Sequence, residues 1–195
     1  MARHLALTLS TAAALAVTAA IAPTAASAAG GGRAGIDQAN AAVQLAAVYR
    51  ATAPYLLHAN AVKAGYVPDK YCVTDRVAGT GSLGYPHFNH SLDNSLDPAK
   101  PAALYYEDDG RGGKRLVGVQ WVVFDRDQNP ATDEDRPSLF GVPFKGPLRG
   151  NFPGQPVHYG LHLWLWKKNP KGVHETFNSA VACLPGTTRP LKPAS

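Results

Sequence analysis

Residues 103–124 read ALYYEDDGRGGKRLVGVQWVVF and decide the fold. Two apolar runs, Ala103 to Glu107 and Leu116 to Phe124, flank a polar segment that begins with Asp108-Asp109-Gly110 and contains further glycines. Asp and Gly tolerate the backbone angles of tight turns, whereas the flanking residues favour extended backbone. The pattern therefore predicts a β-hairpin.

A later stretch, Val157 to Trp166, alternates in side-chain character as a strand does. One of its faces carries Val157, Tyr159, Leu161, Leu163 and Leu165. The other face carries His158, Gly160, His162, Trp164 and Trp166. In the second strand of the hairpin, the same alternation places Gln120 on a face with Leu116, Gly118, Val122 and Phe124.

The segment before the hairpin is predicted to be helical from Ile36 to Ala64. Its core-facing positions recur every three or four residues, as in an amphipathic helix: Leu45, Val48, Thr52, Leu56, Ala59 and Val62. Gly65 and Pro68 are typical of the end of a helix. Because Pro54 has no N–H to donate, the segment is either one kinked helix or two short helices that meet near Thr52.

Residues 66–101 are rich in Gly, Pro, Asn, Asp and Ser, and we expect a loop region with one short strand around Tyr71. The helix, the hairpin and the later strand assemble most simply into an α+β domain, in which the N-terminal helical segment packs on a curled antiparallel sheet. A small β-barrel with an outer helix is the alternative.

The N-terminus has the order of parts that is typical of a secretory signal peptide. Arg3 and His4 precede an apolar run, Leu5 to Ala22, and the small residues Ala26-Ser27-Ala28 follow. We predict cleavage after Ala28, which gives residues 1–28 as the signal peptide. A membrane anchor is the alternative, but Ala and Thr dominate this run and insert weakly.

The mature protein is therefore predicted to be secreted and extracellular. Residues 29–35 are expected to form a flexible leader, residues 36–185 a single globular domain, and residues 186–195 a disordered tail. The chain has 19 Lys and Arg against 14 Asp and Glu. This surplus is small and scattered, which argues against nucleic acid as a partner. After signal cleavage we expect no membrane association either.

Export changes the interpretation of the two cysteines, Cys72 and Cys183. Outside the cytosol an even pair is expected to oxidise, so the sequence predicts a disulfide between them. A structural zinc site would need further ligands at close spacing, and the sequence has none. The predicted disulfide would bring the end of the domain back to its beginning.

The histidines suggest a metal site. His87 and His90 form an HxxH pair in the predicted loop after Pro86. His158 and His162 lie on one predicted strand, where residues four apart are separated by about 13 Å and cannot share a metal ion bound at about 2 Å. At most one of these two histidines therefore joins a given site.

We expect His162 to meet His87 and His90. The oxygen ligand would come from Gln120, Glu107 or Asp93. Such a site would suit one divalent transition metal (Zn, Cu, Fe or Mn) and would leave a position open for water or substrate. The alternative is that His87 and His162 hydrogen-bond buried groups and His90 lies in solvent.

Trp164 and Trp166 suggest a different kind of site. On a regular strand they share a face and lie about 7 Å apart. If the leucines of the opposite face form the core, the two indoles line a groove that could stack on a sugar ring or another flat ligand. The alternative is that both tryptophans belong to the core.

Short motifs are spread along the domain between Ile36 and Cys183. They include Gly84-Tyr85-Pro86-His87, Leu116-Val117-Gly118-Val119, Leu161-His162-Leu163-Trp164-Leu165-Trp166 and Asn169-Pro170-Lys171-Gly172. In this order they resemble an uncharacterised family of small secreted bacterial proteins. The resemblance implies a domain outline and, in relatives with Glu where this chain has Gln120, a His/Glu/His metal set with His87 and His162. Gln is a neutral and weaker ligand.

Two functions therefore stay open, and the sequence alone does not decide whether the protein is an enzyme. One is a metal-dependent enzyme, an oxidoreductase or a hydrolase, built on the histidine site. The other is a non-catalytic secreted protein that binds carbohydrate or another small molecule in an aromatic groove.

Overall fold

The computed structural model describes residues 28–75, 78–150 and 154–190. The predicted signal peptide, apart from Ala28, and the last five residues of the predicted tail lie outside this part of the chain. The helical elements are α1 (Ala28–Thr52), a 3₁₀-helix (Ala53–Leu56), α2 (His58–Lys63) and a second 3₁₀-helix (His90–Leu92). The strands are β1 (Val67–Pro68), β2 (Cys72–Thr74), β3 (Ser82–Phe88), β4 (Ala103–Asp108), β5 (Lys114–Phe124), β6 (Ser138–Leu139), β7 (Val142–Pro143), β8 (Lys145–Leu148), β9 (His158–Leu163) and β10 (Thr188–Pro190).

The main sheet has the strand order β10-β2-β3-β4-β5-β9-β8, and β1 also pairs with β3. Its neighbours are antiparallel except β10 and β2, which are parallel. The sheet curls strongly into a half-barrel, and the N-terminal helix packs against it. The predicted α+β fold is confirmed, with the difference that one parallel pair makes the sheet mixed.

The predicted hairpin is formed by β4 and β5, with a turn around Asp109. Asp109 Oδ1 accepts hydrogen bonds from the N–H groups of Arg111 and Gly113, which hold the turn. A β-bulge interrupts the ladder, because Tyr105 pairs with Gly118 and Tyr106 with Leu116. The bulge moves Leu116 to the opposite face from the one that simple alternation predicts.

The helical segment is two helices, which was one of the two predicted alternatives. Helix α1 ends at Thr52, and the 3₁₀-helix that contains Pro54 separates it from α2. Gly65, with a φ of +91°, adopts the left-handed conformation typical of the residue after a helix. Helix α1 begins at Ala28 and includes residues 29–35, whose flexibility stays a prediction. Among the described helices, none is long and apolar enough to cross a membrane.

Residues 66–101 are more ordered than predicted, because β3 lies inside the sheet between β2 and β4. Strand β3 contains Gly84 and Pro86, two residue types that are rare in interior strands, which explains why the sequence pattern conceals it. Gly84 has a φ of +85°, and an added Cβ would lie 2.2 Å from the carbonyl oxygen of Tyr106. Only glycine fits this position.

The end of the chain returns to the sheet. The predicted disulfide between Cys72 and Cys183 is formed, and the backbone N–H of Cys72 donates to the carbonyl of Thr187 at 2.9 Å. Strand β10, which lies within the predicted tail, then pairs with β2, and disorder of the tail stays a prediction. A three-residue edge strand has no periodicity to detect, and its contacts with the sheet include the disulfide just before it and the ion pair between Arg189 and Asp69.

The two faces of the sheet have different surroundings. The helix face carries the row His87, Leu104, Val119 and Leu163, and its core includes Val48 and Ala61 of the helices. The cavity face carries the row Phe88, Ala103, Gln120 and His162, of which Phe88, Gln120 and His162 line a cavity.

Candidate functional site

The pairing of the strands decides which histidines can meet. Paired residues on neighbouring strands project to the same face, and successive residues alternate. His162 pairs with Gln120 on the cavity face, whereas His87 belongs to the row on the helix face. His87 therefore does not meet His162, contrary to our expectation, because β3 is a strand where we predicted a loop. His90 lies in the short 3₁₀-helix after β3.

His87 is held in the core by hydrogen bonds. Its Nδ1–H donates to the carbonyl of Tyr85 at 3.0 Å, so its Nε2 accepts from His58 Nε2–H at 2.7 Å. Burial, together with the charges of His58 and Lys114, lowers the pKa of His87 to about 4. This arrangement matches the alternative in which His87 simply hydrogen-bonds buried groups.

The cavity face encloses a space of about 630 Å³. Its apolar lining comes from Val73, Leu83, Pro86, Phe88, Val122, Phe124, Leu148 and Pro156. Its polar lining includes Asp69, His90, Asp93, Gln120, His158, His162, Thr176 and Arg189, and the ring of Tyr105 completes the wall. Of the residues predicted for a metal site, His90, Gln120 and His162 are thus brought to one cavity, and His87 is not.

Three side chains at this cavity form a buried polar group: Tyr105, Gln120 and His162. The Tyr105 hydroxyl donates its proton to Gln120 Oε1. Its oxygen is 3.2 Å from His162 Nε2, so this nitrogen is the donor and carries the ring proton. His162 Nδ1 is then an acceptor, and it is buried without a hydrogen-bond partner. Burial lowers the pKa of His162 to about 3, so the ring is neutral at physiological pH.

Asp93 is the second residue of the cavity that has a buried polar atom without a hydrogen-bond partner. Its side chain is only 8% exposed. One carboxylate oxygen, Oδ2, lies 3.0 Å from His90 Nδ1, and the other, Oδ1, is buried without a partner. Burial raises the pKa of Asp93, while His90 and His158 act in the opposite direction.

A metal ion in a protein is usually held by three or more grouped ligands. Among the described residues, no three His, Cys, Asp or Glu side chains are grouped so that they could hold a metal ion. Glu107, one of the oxygen ligands considered, forms ion pairs with Arg115 and Lys167 and does not line the cavity. Binding of a divalent transition metal stays a prediction.

The two tryptophans do not share a groove. Strand β9 ends at Leu163, and the alternation fails after Trp164, because Leu165 and Trp166 both pack on the helix side. Trp164 is buried on the cavity side of the sheet, with its ring stacked 6.0 Å from that of Tyr105. Trp166 packs on the helix side, where its Nε1–H donates to Thr52 Oγ1 at 3.3 Å.

Several residues of the cavity could not be selected from the sequence, among them Tyr105 and Arg189. The hairpin register was the signal for Tyr105, because pairing of Ala103 with Gln120 places Tyr105 one position further along the same face. Arg189 lies in the predicted tail, and its contact with the cavity depends on strand β10.

We predict that His87 and His162 make the protein sensitive to mild acid. Both have a pKa below the ordinary value of 6.5, so the unfolded chain binds more protons than the folded protein as the pH falls through 6.5. Their stabilising effect is complete above that pH, and we expect the free energy of unfolding to fall by about 2 kcal/mol between pH 7 and 5.5.

Urea unfolding at the two pH values measures this loss. His162→Asn should reduce the pH dependence by about half, and an unchanged slope in that variant would contradict the assignment.

Comparisons with known proteins give no match: no family model fits this chain, and no curated protein or solved structure is similar to it.

Proposed function

We propose that this protein is an exported, non-catalytic binding protein that holds a small organic molecule in the cavity. One observation carries the proposal. In the described part of the chain, three buried side-chain polar atoms lack a hydrogen-bond partner, and two of them belong to residues that line this cavity, Asp93 and His162. Buried polar atoms are nearly always paired, so a ligand that supplies the missing partners accounts for both.

The shape and lining of the cavity support a small-molecule ligand. Its volume of about 630 Å³ lies within the range of about 300–1,000 Å³ that is usual for ligand sites. Such sites combine apolar walls with a few polar groups that orient the ligand. Here Phe88, Val122 and Phe124 supply apolar wall, while Asp93 and His162 supply the polar groups.

Binding fits the buried groups better than catalysis. A general base works best when its pKa is near the pH of the reaction. The pKa of His162 is lowered to about 3, which makes its ring a weak base near pH 7. Export is supported by the order of residues before Ala28 and by the disulfide between Cys72 and Cys183.

We predict that filling the cavity weakens binding. Val122 lines the cavity, and Val122→Phe places a ring in the space that the ligand would occupy. The matched control is Val43→Phe on helix α1, where the side chain is 66% exposed. Ligand-observed NMR and calorimetry with a fixed panel of glucose, N-acetylglucosamine, 2-phenylethanol and 2-phenylethylamine should detect binding to the wild type. We expect Val122→Phe to lose at least about tenfold in affinity and Val43→Phe to retain it.

Two results would overturn this proposal. One is that the wild type binds no member of the panel. The other is that Val122→Phe binds as well as the wild type, since the ligand would then lie elsewhere on the protein.

A divalent transition metal is the second candidate ligand, because His90, Gln120 and His162 line the same cavity as Asp93. All four can offer lone pairs to Zn, Cu, Fe or Mn. Elemental analysis of protein purified without chelators tests it. About one equivalent of metal in the wild type that is absent from His162→Ala would support a metal site and, with it, the metal-dependent enzyme. The absence of metal from both proteins would contradict this candidate.

A further inference from the structure

The charge balance of the cavity is uneven. Arg189 at its edge is paired with Asp69, so these two charges compensate each other. Asp93 has no Lys or Arg partner among the described residues, and the titratable groups that face it are His90 and His158. A buried carboxylate is costly unless a positive charge or several hydrogen bonds compensate it. His90 pairs with Asp93 Oδ2, so Oδ1 is the carboxylate oxygen that is left without a cation or a hydrogen-bond donor.

Two phenyl side chains, Phe88 and Phe124, line the same cavity as Asp93. Phe88 stacks on His90 with ring centroids 5.3 Å apart, and His90 contacts Asp93. A ring face attracts an organic cation by its quadrupole, and a carboxylate attracts the same cation by its charge. The two kinds of group favour the same ligand.

The two unpartnered atoms belong to residues that line one cavity, Asp93 and His162. One ligand can therefore serve both residues. It needs a hydrogen-bond donor for each of the two atoms and an apolar body that fits the walls.

We propose that the cavity binds an organic ammonium ion with a flat apolar body and a hydroxyl group at its far end. The ammonium group donates to Asp93 Oδ1, and the hydroxyl group donates to His162 Nδ1. The walls formed by Phe88, Val122 and Phe124 hold the body of the ligand. This inference rests on the function proposed above and adds the chemical class of the ligand.

Three ligands of one shape test the inference by calorimetry: 2-(4-hydroxyphenyl)ethylamine, the alcohol in which a hydroxyl replaces its amino group, and 2-phenylethylamine. A hydrogen bond to a charged partner contributes about 1.5–3 kcal/mol, which corresponds to about 10- to 100-fold in affinity. We expect the hydroxylated amine to bind wild-type protein more tightly than the alcohol by this factor. Its advantage over 2-phenylethylamine should be smaller, because a hydrogen bond between neutral groups is weaker.

Asp93→Asn removes the charge at nearly constant shape and should abolish the preference for the amine. The matched control is Asp97→Asn, because the Asp97 side chain is exposed and pairs with Lys100. If Asp93→Asn does not fold, the comparison of amine and alcohol binding to the wild type still tests whether the cavity prefers an ammonium group.

Equal binding of amine and alcohol would overturn the ammonium assignment and leave the proposed function standing. An undiminished preference in Asp93→Asn would overturn it in the same way. If none of the three ligands binds, the proposal of an organic ammonium ligand is also wrong. The four-compound panel, with its comparison of wild type and Val122→Phe, then tests separately whether the cavity binds a small molecule at all.

Discussion

Removal of the disulfide is expected to lower the free energy of unfolding by about 4–5 kcal/mol. Cys72 and Cys183 are 111 residues apart in the chain, so the crosslink closes a very long loop. In the chain-entropy description, closing such a loop restricts the unfolded chain and thereby destabilises it relative to the folded state. Without the bond, strand β10 is held to β2 mainly by a three-residue parallel ladder.

Urea unfolding of the double variant Cys72→Ala/Cys183→Ala measures this effect. Wild-type protein treated with a reductant should show the same loss, and the reductant should not change the variant. A decrease of less than about 1 kcal/mol would show that β10 and the preceding segment hold their place without the crosslink. Because Arg189 on β10 lines the cavity, the variant should also bind the cavity ligand more weakly.

The substitution Gly84→Ala is expected to cost at least about 3 kcal/mol of stability. The left-handed conformation at a φ of +85° disfavours any residue with a Cβ by about 1–2 kcal/mol. The larger part of the loss in stability comes from a clash with the neighbouring strand, because the new Cβ would lie 2.2 Å from the carbonyl oxygen of Tyr106. Backbone atoms cannot rotate away as a side chain can, so β3 and β4 would have to separate where they pair.

Gly110→Ala is the matched control. Gly110 also has a positive φ, of +76°, but no atom lies within 4 Å of the position that a Cβ would take. This variant should therefore lose only about 1–2 kcal/mol, the conformational part of the effect. Thermal and urea unfolding of both variants give the difference. If the two losses are equal, the contact with Tyr106 does not limit the packing of the strands.

The parts of the fold that could be predicted are those with local signals. The hairpin of β4 and β5 is joined by a short turn, and its two apolar runs are adjacent in the sequence. The break between α1 and α2 follows from the missing N–H of Pro54. Strand β3, in contrast, has no local signal in the sequence. It contains Gly84 and Pro86, and its place in the sheet comes from distant partners: Gly84 pairs with Val73 of β2 and Pro86 with Tyr105 of β4.

The candidate site likewise has features that could be predicted from the sequence and features that could not. His90, Gln120 and His162 could be selected because polar residues in apolar or turn-rich surroundings are conspicuous. Their relation to His87 could not be predicted, because one residue of register moves a side chain to the other face of a sheet. The prediction that the two tryptophans share a face was wrong for a related reason, since β9 ends at Leu163 and Trp166 packs on the opposite side of the sheet from Trp164.

The amino-acid sequence alone determined the hairpin, the helical N-terminal segment and the pairing of Cys72 with Cys183, because each depends on neighbouring residues or on there being only two cysteines. Only the tertiary structure decided that β3 and β10 join the sheet and that Asp93 and His162 line one cavity. These relations depend on strand register and on contacts between distant segments, and no local pattern of residues records them.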